Sequence, residues 1–303
     1  MKHSGIFWGI IMLVVANICF SAKAVIIKLL YREGVSVESV IALRMLFALP
    51  FYVATAIWLH RRARNVRLSG REWLAISGLG ILSYYVSSML DFMGLQYVTA
   101  GVERLVLYTY PTIVLLLSAL VFRKKIGGVQ VLALLLTYAG VVIAFAAEKG
   151  LGAQKDLIKG GLLVLGCAFT YAVYVVFTGE YSRKVGSAKF TSYAVIAATV
   201  PALIQSWWRE NLDVFHFSGT VYQLSVLLAL VATVVPTFLI VEGIRIVGAN
   251  NSGIIGFVGP VSTIFLAWFV LGEAITPLQL LGAGVVLAGV FLLSWNSVKG
   301  VDG

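Results

Sequence analysis

Residues 6–30 read IFWGIIMLVVANICFSAKAVIIKLL, an apolar run interrupted by two charged side chains, Lys23 and Lys28. A helix rises 1.5 Å per residue, so about 20 residues of this kind cross the roughly 30 Å hydrocarbon core of a bilayer. Similar runs recur along the chain, which is 60% hydrophobic and 12% charged and has a mean hydropathy of +0.97. Ordinary soluble domains are roughly 45–50% apolar and about 25% charged. The sequence therefore predicts an all-α integral membrane protein.

Ten runs are long enough to be predicted as transmembrane helices. They cover residues 7–31, 37–59, 73–97, 101–122, 128–147, 159–179, 188–208, 222–246, 250–271 and 277–296. The connections between them are short, which makes consecutive helices antiparallel neighbours and leaves no room for a soluble domain. The first run shows no cleavage pattern of a signal peptide, so we predict that it is retained as the first span.

Lysine and arginine lie mainly in the short connections, and their distribution sets the predicted orientation. With a cytoplasmic N-terminus, 14 of the 23 basic residues fall in inner loops and tails, five in outer loops and four within spans. Cytoplasmic loops of membrane proteins carry this excess. We therefore predict a multi-pass protein of the inner (cytoplasmic) membrane with both termini cytoplasmic. The formal charge of +10 does not indicate nucleic-acid binding, because these basic residues form no patch on a soluble surface.

The two halves of the chain resemble each other. Gly94–Ile143 aligns without gaps on residues 243–292, an offset of 149 residues, with 12 of 50 positions identical. A repeat of five spans, an odd number, enters the membrane in opposite orientations in the two halves. The loop charges invert accordingly, since Arg123-Lys124-Lys125 corresponds to Gly272-Glu273-Ala274. We therefore predict ten transmembrane helices in two inverted five-helix repeats, residues 1–149 and residues 150–303.

Two stretches of the chain also resemble a known family. One stretch is similar to the closing helix pair of the EamA family of the drug/metabolite transporter superfamily, and it comprises residues 260–273, Ile275 and residues 279–289. Arg44-Met45-Leu46-Phe47-Ala48-Leu49-Pro50 resembles its second helix. The resemblance implies a secondary transporter that exports or exchanges small metabolites, amino acids among them, by alternating access and without a cofactor. Arg123-Lys124 departs from the Gly-Glu pair expected there, and Glu273 is interpreted as a loop residue.

Six ionisable side chains fall within predicted spans of the first half. They are Lys23, Lys28, Arg44, Asp91, Glu103 and Arg104. Charges inside a membrane cost several kcal/mol, so function or pairing usually explains them. All six fall in the outward half of the bilayer under the predicted orientation, and we expect them to meet around one cavity. Lys23, Arg44 or Arg104 would attract a substrate carboxylate, while Asp91 or Glu103 would pair with them or bind an amino group. The alternative is a set of ion pairs that hold helices together, with Lys28 and the near-surface pair Glu103-Arg104 reaching the membrane surface.

Polar aromatic residues and prolines add further candidates. Tyr84, Tyr85 and Tyr108 can present a ring and a hydroxyl to a small molecule, with helix packing as the alternative for each. Pro111 and Pro260 occupy equivalent positions in spans four and nine, where a proline frees a backbone carbonyl and allows a kink. We predict that these two prolines act as hinges, with static curvature as the alternative.

Small residues in the last span of each half indicate close helix packing. Gly140 in span five and three glycines of span ten, Gly282, Gly284 and Gly289, suit a tight contact within one chain or between two copies. The expected partners are a small-molecule substrate and the lipid bilayer, and the chain is expected to be a monomer or a homodimer.

Other function classes fit the sequence less well. The three histidines lie in tails or loops, and no His-Glu-x-x-His, Gly-x-Ser-x-Gly or Walker-type lysine motif is present. These observations argue against a membrane enzyme, a metal site and an ATP-driven pump. A transporter of nucleobases or other metabolites, a lipid translocase and a channel remain alternatives. Energy coupling is open, because proton antiport would use Asp91, Glu103 or Glu242, whereas passive efflux needs none of them.

Overall fold

The computed structural model describes residues 2–62, 68–123, 126–150, 156–210, 216–248, 252 and 255–299. Within those ranges the regular secondary structure is helical throughout. The helices that position the site are α1 (Lys2–Arg32), α2 (Val37–Arg62), α3 (Gly70–Leu95), α4 (Ala100–Phe122), α5 (Gly128–Gly150), α6 (Leu157–Val185), α7 (Ser187–Glu210), α8 (Gly219–Val247), α9 (Val258–Leu271) and α10 (Pro277–Lys299).

Most of these helices have the length and composition of membrane spans. Helices α1 to α8 each contain an apolar stretch long enough to cross a bilayer, and α9 and α10 are shorter apolar helices. Local signals fix several ends: Ser69 and Glu72 form a capping box before α3, and Thr99 accepts a hydrogen bond from the Val102 N–H at 3.3 Å to begin α4. The prediction of an all-helical, multi-pass membrane protein is confirmed.

Helix α3 contains a π-helical turn over Ile81–Ser87. A π-helical turn displaces backbone carbonyls from their regular partners, so that other donors can reach them. The Ser87 hydroxyl donates to the carbonyl of Leu82 at 2.9 Å, and the Arg44 guanidinium donates to the carbonyl of Tyr84 at 3.1 Å. The widened turn therefore provides a backbone acceptor for a buried cation.

Helices α4 and α9 are shaped at the two prolines predicted as hinges. A turn at residues 108–109 interrupts α4, and Pro111 stands in the first turn of the segment that follows, Tyr110–Phe122. Pro260 likewise stands in the first turn of α9, after a turn at residues 256–257. Proline is tolerated there because an N–H in the first turn has no partner within the helix. The hinge role of both prolines stays a prediction.

Helices α5 and α10 pack closely against each other through glycine. A Cβ placed on Gly140 would lie 2.6 Å from the backbone nitrogen of Val286, and one on Gly289 would lie 2.7 Å from that of Thr137. Gly282 approaches the backbone of α5 in the same way, whereas no described atom lies within 4 Å of a Cβ on Gly284. The close contact predicted for Gly140, Gly282 and Gly289 is confirmed. Gly284 makes no such contact within the chain, because a residue two positions from Gly282 points to another face of the helix, and a contact between two copies there stays a prediction.

The substitution Gly140→Ala is expected to lower the melting temperature of the purified protein in detergent by several degrees. The new methyl group must displace the α10 backbone, and overpacking of this kind costs about 1–3 kcal/mol. Gly284→Ala is the matched control and should leave the melting temperature unchanged or slightly higher. Equal destabilisation by the two variants would contradict the packing of α5 on α10.

The largest apolar core joins α1, α2, α3, α7 and α8 and includes Ile27, Met45 and Phe92. Large apolar side chains also cover the outside of the helices: Leu120 is 78% exposed and Trp208 is 86% exposed. Contiguous apolar surface of this extent marks a binding or membrane face. The helices are therefore arranged with lipid-compatible side chains outward and charged side chains inward.

Candidate functional site

Lys23, Asp91 and Glu103 meet in the interior from three helices. The Nζ of Lys23 on α1 lies 2.5 Å from Oδ2 of Asp91 on α3 and 3.7 Å from Oε1 of Glu103 on α4. The Asp91 and Glu103 side chains are 2% and 0% exposed. Asp91 lies in the last turns of α3 and Glu103 lies in the first turn of α4. The connection between these helices is short, which brings the two carboxyl groups together.

Arg44 on α2 is buried beside this group, and no carboxylate of the described residues lies within ion-pair distance of it. Its Nη2 donates to the carbonyl of Tyr84 and to Oγ of Ser88 at 2.8 Å, and its guanidinium lies over the ring of Phe92, 5.0 Å from the centroid. Its Nε is buried without a hydrogen-bond partner. The residue is 5% exposed, so its charge is held by neutral dipoles and a ring face.

Arg104 on α4 is a second buried guanidinium that forms no ion pair within the part of the chain that the structure describes. It lies over the ring of Tyr108, 5.4 Å from the centroid, and its Nε lacks a hydrogen-bond partner. Gly259 on α9 leaves room for it, since a Cβ there would lie 2.9 Å from both Nη2 of Arg104 and the hydroxyl of Tyr108. That hydroxyl donates to the carbonyl of Gly256. The turns that precede the two prolines therefore face each other around Arg104.

These five side chains form one charged cluster: Lys23, Arg44, Asp91, Glu103 and Arg104. Three cations and two carboxylates give it a formal charge of +1 when all are ionised. Of the three cations in the cluster, only Lys23 lies within ion-pair distance of a carboxylate of the described residues, so the alternative of fully paired charges fails for Arg44 and Arg104. In the same part of the chain no three His, Cys, Asp or Glu side chains are arranged to hold a metal ion. The cluster suits an anionic group of a bound molecule.

A row of tyrosines continues from the cluster along the helix interfaces. The members are Tyr108, Tyr110, Tyr171, Tyr174 and Tyr84, and successive ring centroids lie 6.3, 5.1, 5.9 and 6.0 Å apart. All but Tyr174 are half-buried, so their rings border space that is not filled by protein. Tyr84 and Tyr108 were predicted pathway residues. Tyr110, Tyr171 and Tyr174 are polar aromatics of the same kind, but the sequence does not show that α4 and α6 face each other and so does not predict the row.

The comparison with known proteins fits this arrangement. The profile of the EamA-like transporter family matches residues 7–146 and again residues 158–295. The chain belongs to the EamA-like transporter family. The uncharacterized transporter YcbK of Bacillus subtilis is 28% identical over 295 residues, with 96% of this chain and 94% of the relative covered. The uncharacterized transporter YdfC of the same organism is 28% identical over 260 residues, with 85% and 82% covered.

The fold has a counterpart among solved structures. One crystal structure superposes on this chain with a TM-score of 0.64 at 18% sequence identity, covering 96% of this chain and 98% of the other. This likeness concerns the fold alone. Together with the family and the apolar helices, it makes the chain a multi-pass membrane transporter of the EamA-like family.

Two residues that were candidates for function in this EamA-like transporter, Tyr85 and Glu242, have partners outside the cluster and the tyrosine row. The hydroxyl of Tyr85, predicted for the pathway, donates to Gln205 of α7 at 2.6 Å. Consecutive residues of a helix point about 100° apart, so Tyr84 and Tyr85 cannot both face α6. Glu242, a candidate proton carrier, pairs with Arg245 one turn later, with Nε of Arg245 2.9 Å from its carboxylate. Both sides of that pair are exposed, which removes the reason to assign Glu242 a proton.

Ion pairs join the two sequence halves at both ends of the helix bundle. At the end that carries the α1–α2 connection, Lys28 lies 3.3 Å from Glu273, whose oxygens also accept from the Ala100 N–H at 3.0 and 3.2 Å. At the opposite end, Lys184 of α6 pairs with Glu72 of α3. Lys28 is held by Glu273 beside the start of α4, and its reaching the membrane surface stays a prediction. The same alternative fails for Glu103 and Arg104, because both are buried. Glu273 lies in a loop, as predicted, and its contact with the start of α4 has no signal in the sequence.

Proposed function

We propose that this EamA-like protein is a secondary transporter that exports or exchanges small metabolites bearing a carboxylate, amino acids foremost, across the cytoplasmic membrane. The observation that carries the proposal is the pair of buried guanidinium groups, Arg44 and Arg104, which have no acidic partner among the described residues. A buried cation without a counter-ion costs several kcal/mol. A carboxylate that accepts two N–H bonds from a guanidinium offsets that cost.

The rest of the cluster and the tyrosine row supply the other contacts of an amino acid. Asp91 and Glu103 can accept from an ammonium group, and the half-buried rings of Tyr108, Tyr110 and Tyr171 offer apolar faces to a side chain. A neutral nucleobase would leave both guanidinium groups without a counter-ion, so the geometry favours it less. A lipid translocase would use the same cations for a headgroup phosphate, and the binding experiment below separates the two.

Alternating access between two halves, residues 1–149 and residues 150–303, completes the proposal. The two profile matches and the equivalent prolines support two five-helix units of opposite orientation, ten spans in all. Arg123 and Gly272, aligned in the repeat, both end their helices in the left-handed region, at φ of 52° and 71°. The ion pairs Lys28–Glu273 and Glu72–Lys184 join the halves at opposite ends. Each end can open only when its own pair breaks.

Excess positive charge in alternate loops supports cytoplasmic termini, which places the Lys28–Glu273 end outside the cell. Protease protection of a C-terminal tag in right-side-out vesicles tests this orientation. The proposed oligomeric state is a monomer or a homodimer, which light scattering of the purified protein distinguishes.

Binding is the first test of the proposed substrate class. Thermal unfolding of the purified protein is measured with neutral amino acids, with their amides, with the corresponding amines and with a short-chain phospholipid. Amino acids should raise the melting temperature and the amides should not, because only the former carry a carboxylate. Equal stabilisation by acid and amide would overturn the assignment of the guanidinium groups, and stabilisation by the phospholipid alone would favour the translocase.

Glu273→Gln is expected to open the outer end. Loss of a half-buried ion pair of about 1–3 kcal/mol shifts the conformational equilibrium roughly tenfold. The native thiol Cys167, which is 5% exposed and close to the cluster, reports the change in a Cys19→Ala background. Labelling of Cys167 by a membrane-impermeant maleimide from outside should rise about tenfold.

The control for this experiment is Glu242→Gln. It makes the same chemical change in an exposed ion pair, Glu242–Arg245, near the C-terminal end of α8. It should leave Cys167 labelling as in the parent protein. An unchanged labelling rate in Glu273→Gln would show that Lys28 and Glu273 do not close the outer end.

A further inference from the structure

Glu103 is a buried carboxyl group whose oxygens are not satisfied. The side chain is 0% exposed, and neither Oε1 nor Oε2 has a hydrogen-bond partner. The nearest cation, Nζ of Lys23, is 3.7 Å from Oε1, beyond hydrogen-bonding distance. An ionised carboxylate in such surroundings lacks both hydration and donors, which costs several kcal/mol.

The neighbours of Glu103 do not compensate its charge. Lys23 of α1 is committed to Asp91 of α3 at 2.5 Å. Arg104, the next residue of α4, stacks on Tyr108 in the direction of α9. From α6 the facing group is the thiol of Cys167, and from α2 it is Arg44, which is bonded to Ser88 and Tyr84. Two carboxylates therefore share the Lys23 ammonium, and the negative charge of Glu103 has no hydrogen-bond donor of its own, although the whole cluster carries a formal charge of +1.

A proton on Glu103 removes that uncompensated charge when no substrate is bound. The ammonium group of an amino acid can remove it equally well, since it brings one positive charge and three N–H donors. A proton and an ammonium group cannot both occupy the same carboxylate. The carboxylate of the same molecule would bind at the guanidinium of Arg104, on the adjoining side of the α4 turn.

The geometry points to Glu103 as a proton-binding site that couples transport to the proton gradient, with the proton and the ammonium group of the substrate binding in alternation. This inference rests on the proposed function. The step balances as Glu103–COOH plus R–NH3⁺ giving the Glu103 carboxylate paired with R–NH3⁺ and one H⁺ released to water. Substrate and proton then cross in opposite directions, so a proton gradient directed into the cell drives export.

Two measurements test the site on the full-length protein in detergent. Infrared difference spectra between acidic and alkaline pH show the C=O stretch of protonated carboxyl groups without any substrate. In lightly buffered solution with a pH indicator, addition of a pH-matched mixture of neutral amino acids reports protons released on binding. We expect a protonated-carboxyl band in the substrate-free protein and the release of about one proton per bound amino acid.

The variants identify the group that carries the proton. Glu103→Gln should lack both the band and the proton release. Glu103→Asp keeps a carboxyl group and should retain both signals. This variant keeps the test decisive if the glutamine variant is poorly folded. Glu242→Gln is the matched control, and both signals should be as in the unmodified protein.

Each contrary result has a distinct meaning. A band that persists in Glu103→Gln, or that disappears only in Asp91→Asn, would overturn the assignment to Glu103. Amino-acid binding by the melting-temperature test without proton release would overturn the coupling while leaving the proposed function intact. Absence of any amino-acid binding would overturn both.

Discussion

Replacing Arg104 with alanine is expected to reduce amino-acid exchange in proteoliposomes about 100-fold, because truncating one partner of a buried, hydrogen-bonded charge pair costs roughly 2–5 kcal/mol of binding. Arg104 is 9% exposed, has no acidic partner among the residues that the structure describes and is accommodated by Gly259. In the substrate-free protein, this uncompensated buried cation lowers the stability of the folded state. The melting temperature of Arg104→Ala should therefore be equal to that of the parent protein or higher, because functional sites are retained at the expense of stability.

The combination of lost transport and preserved stability distinguishes substrate binding from a structural role. Arg183→Ala is the matched control, since Arg183 on α6 is exposed and its Nε donates only to the carbonyl of Gly179 one turn earlier. Exchange by this variant should be unchanged. A low melting temperature for Arg104→Ala, with exchange lost in proportion to the folded fraction, would assign Arg104 to the architecture of α4.

Replacing Lys23 with methionine is expected to destabilise the protein by about 3–5 kcal/mol, the cost of leaving buried carboxylates without their counter-ion. Lys23 is the cation shared by Asp91 and Glu103; the two carboxylates are buried and the Lys23 side chain is 14% exposed. Unfolding in detergent, followed by thermal or denaturant titration, should show the largest loss of stability among single substitutions in the cluster. The yield of folded protein should fall accordingly.

The double variant Lys23→Met, Asp91→Asn is expected to recover most of this stability, since it removes one negative charge together with the positive one. Lys28→Met serves for comparison, because Lys28 and Glu273 are 19% and 16% exposed and water screens part of their interaction. Additive losses in the double variant would contradict the ion pair between Lys23 and Asp91.

Much of the fold and part of the site follow from the sequence. Charges such as Arg44 and Asp91 stand out because each interrupts an apolar run, and short connections bring the ends of α1, α2, α3 and α4 to one side of the membrane. These two facts are enough to predict that the charges lie near one another. They are not enough to predict which charge pairs with which, because pairing depends on how each helix is rotated about its axis.

The features missed from the sequence all depend on such rotations or on contacts between distant segments. The π-helical turn in α3 offers the Tyr84 carbonyl to Arg44 and turns Tyr85 toward Gln205, and no apolar period signals it. Glu273 reaches the start of α4 only because the α9–α10 connection folds over it. Tyr171 and Tyr174 join the tyrosine row because α6 packs against α4. Each is a tertiary contact without a local signature.

Counterflow in proteoliposomes tests the central claim most directly. Purified protein is reconstituted with unlabelled neutral amino acids inside, and uptake of the same amino acids in labelled form is followed with Arg104→Ala as the comparison. The proposal predicts saturable uptake that internal substrate stimulates and that Arg104→Ala lacks. Uptake of no amino acid by protein that remains folded, or equal uptake by Arg104→Ala, would contradict the claim that the buried cluster carries amino acids across the membrane.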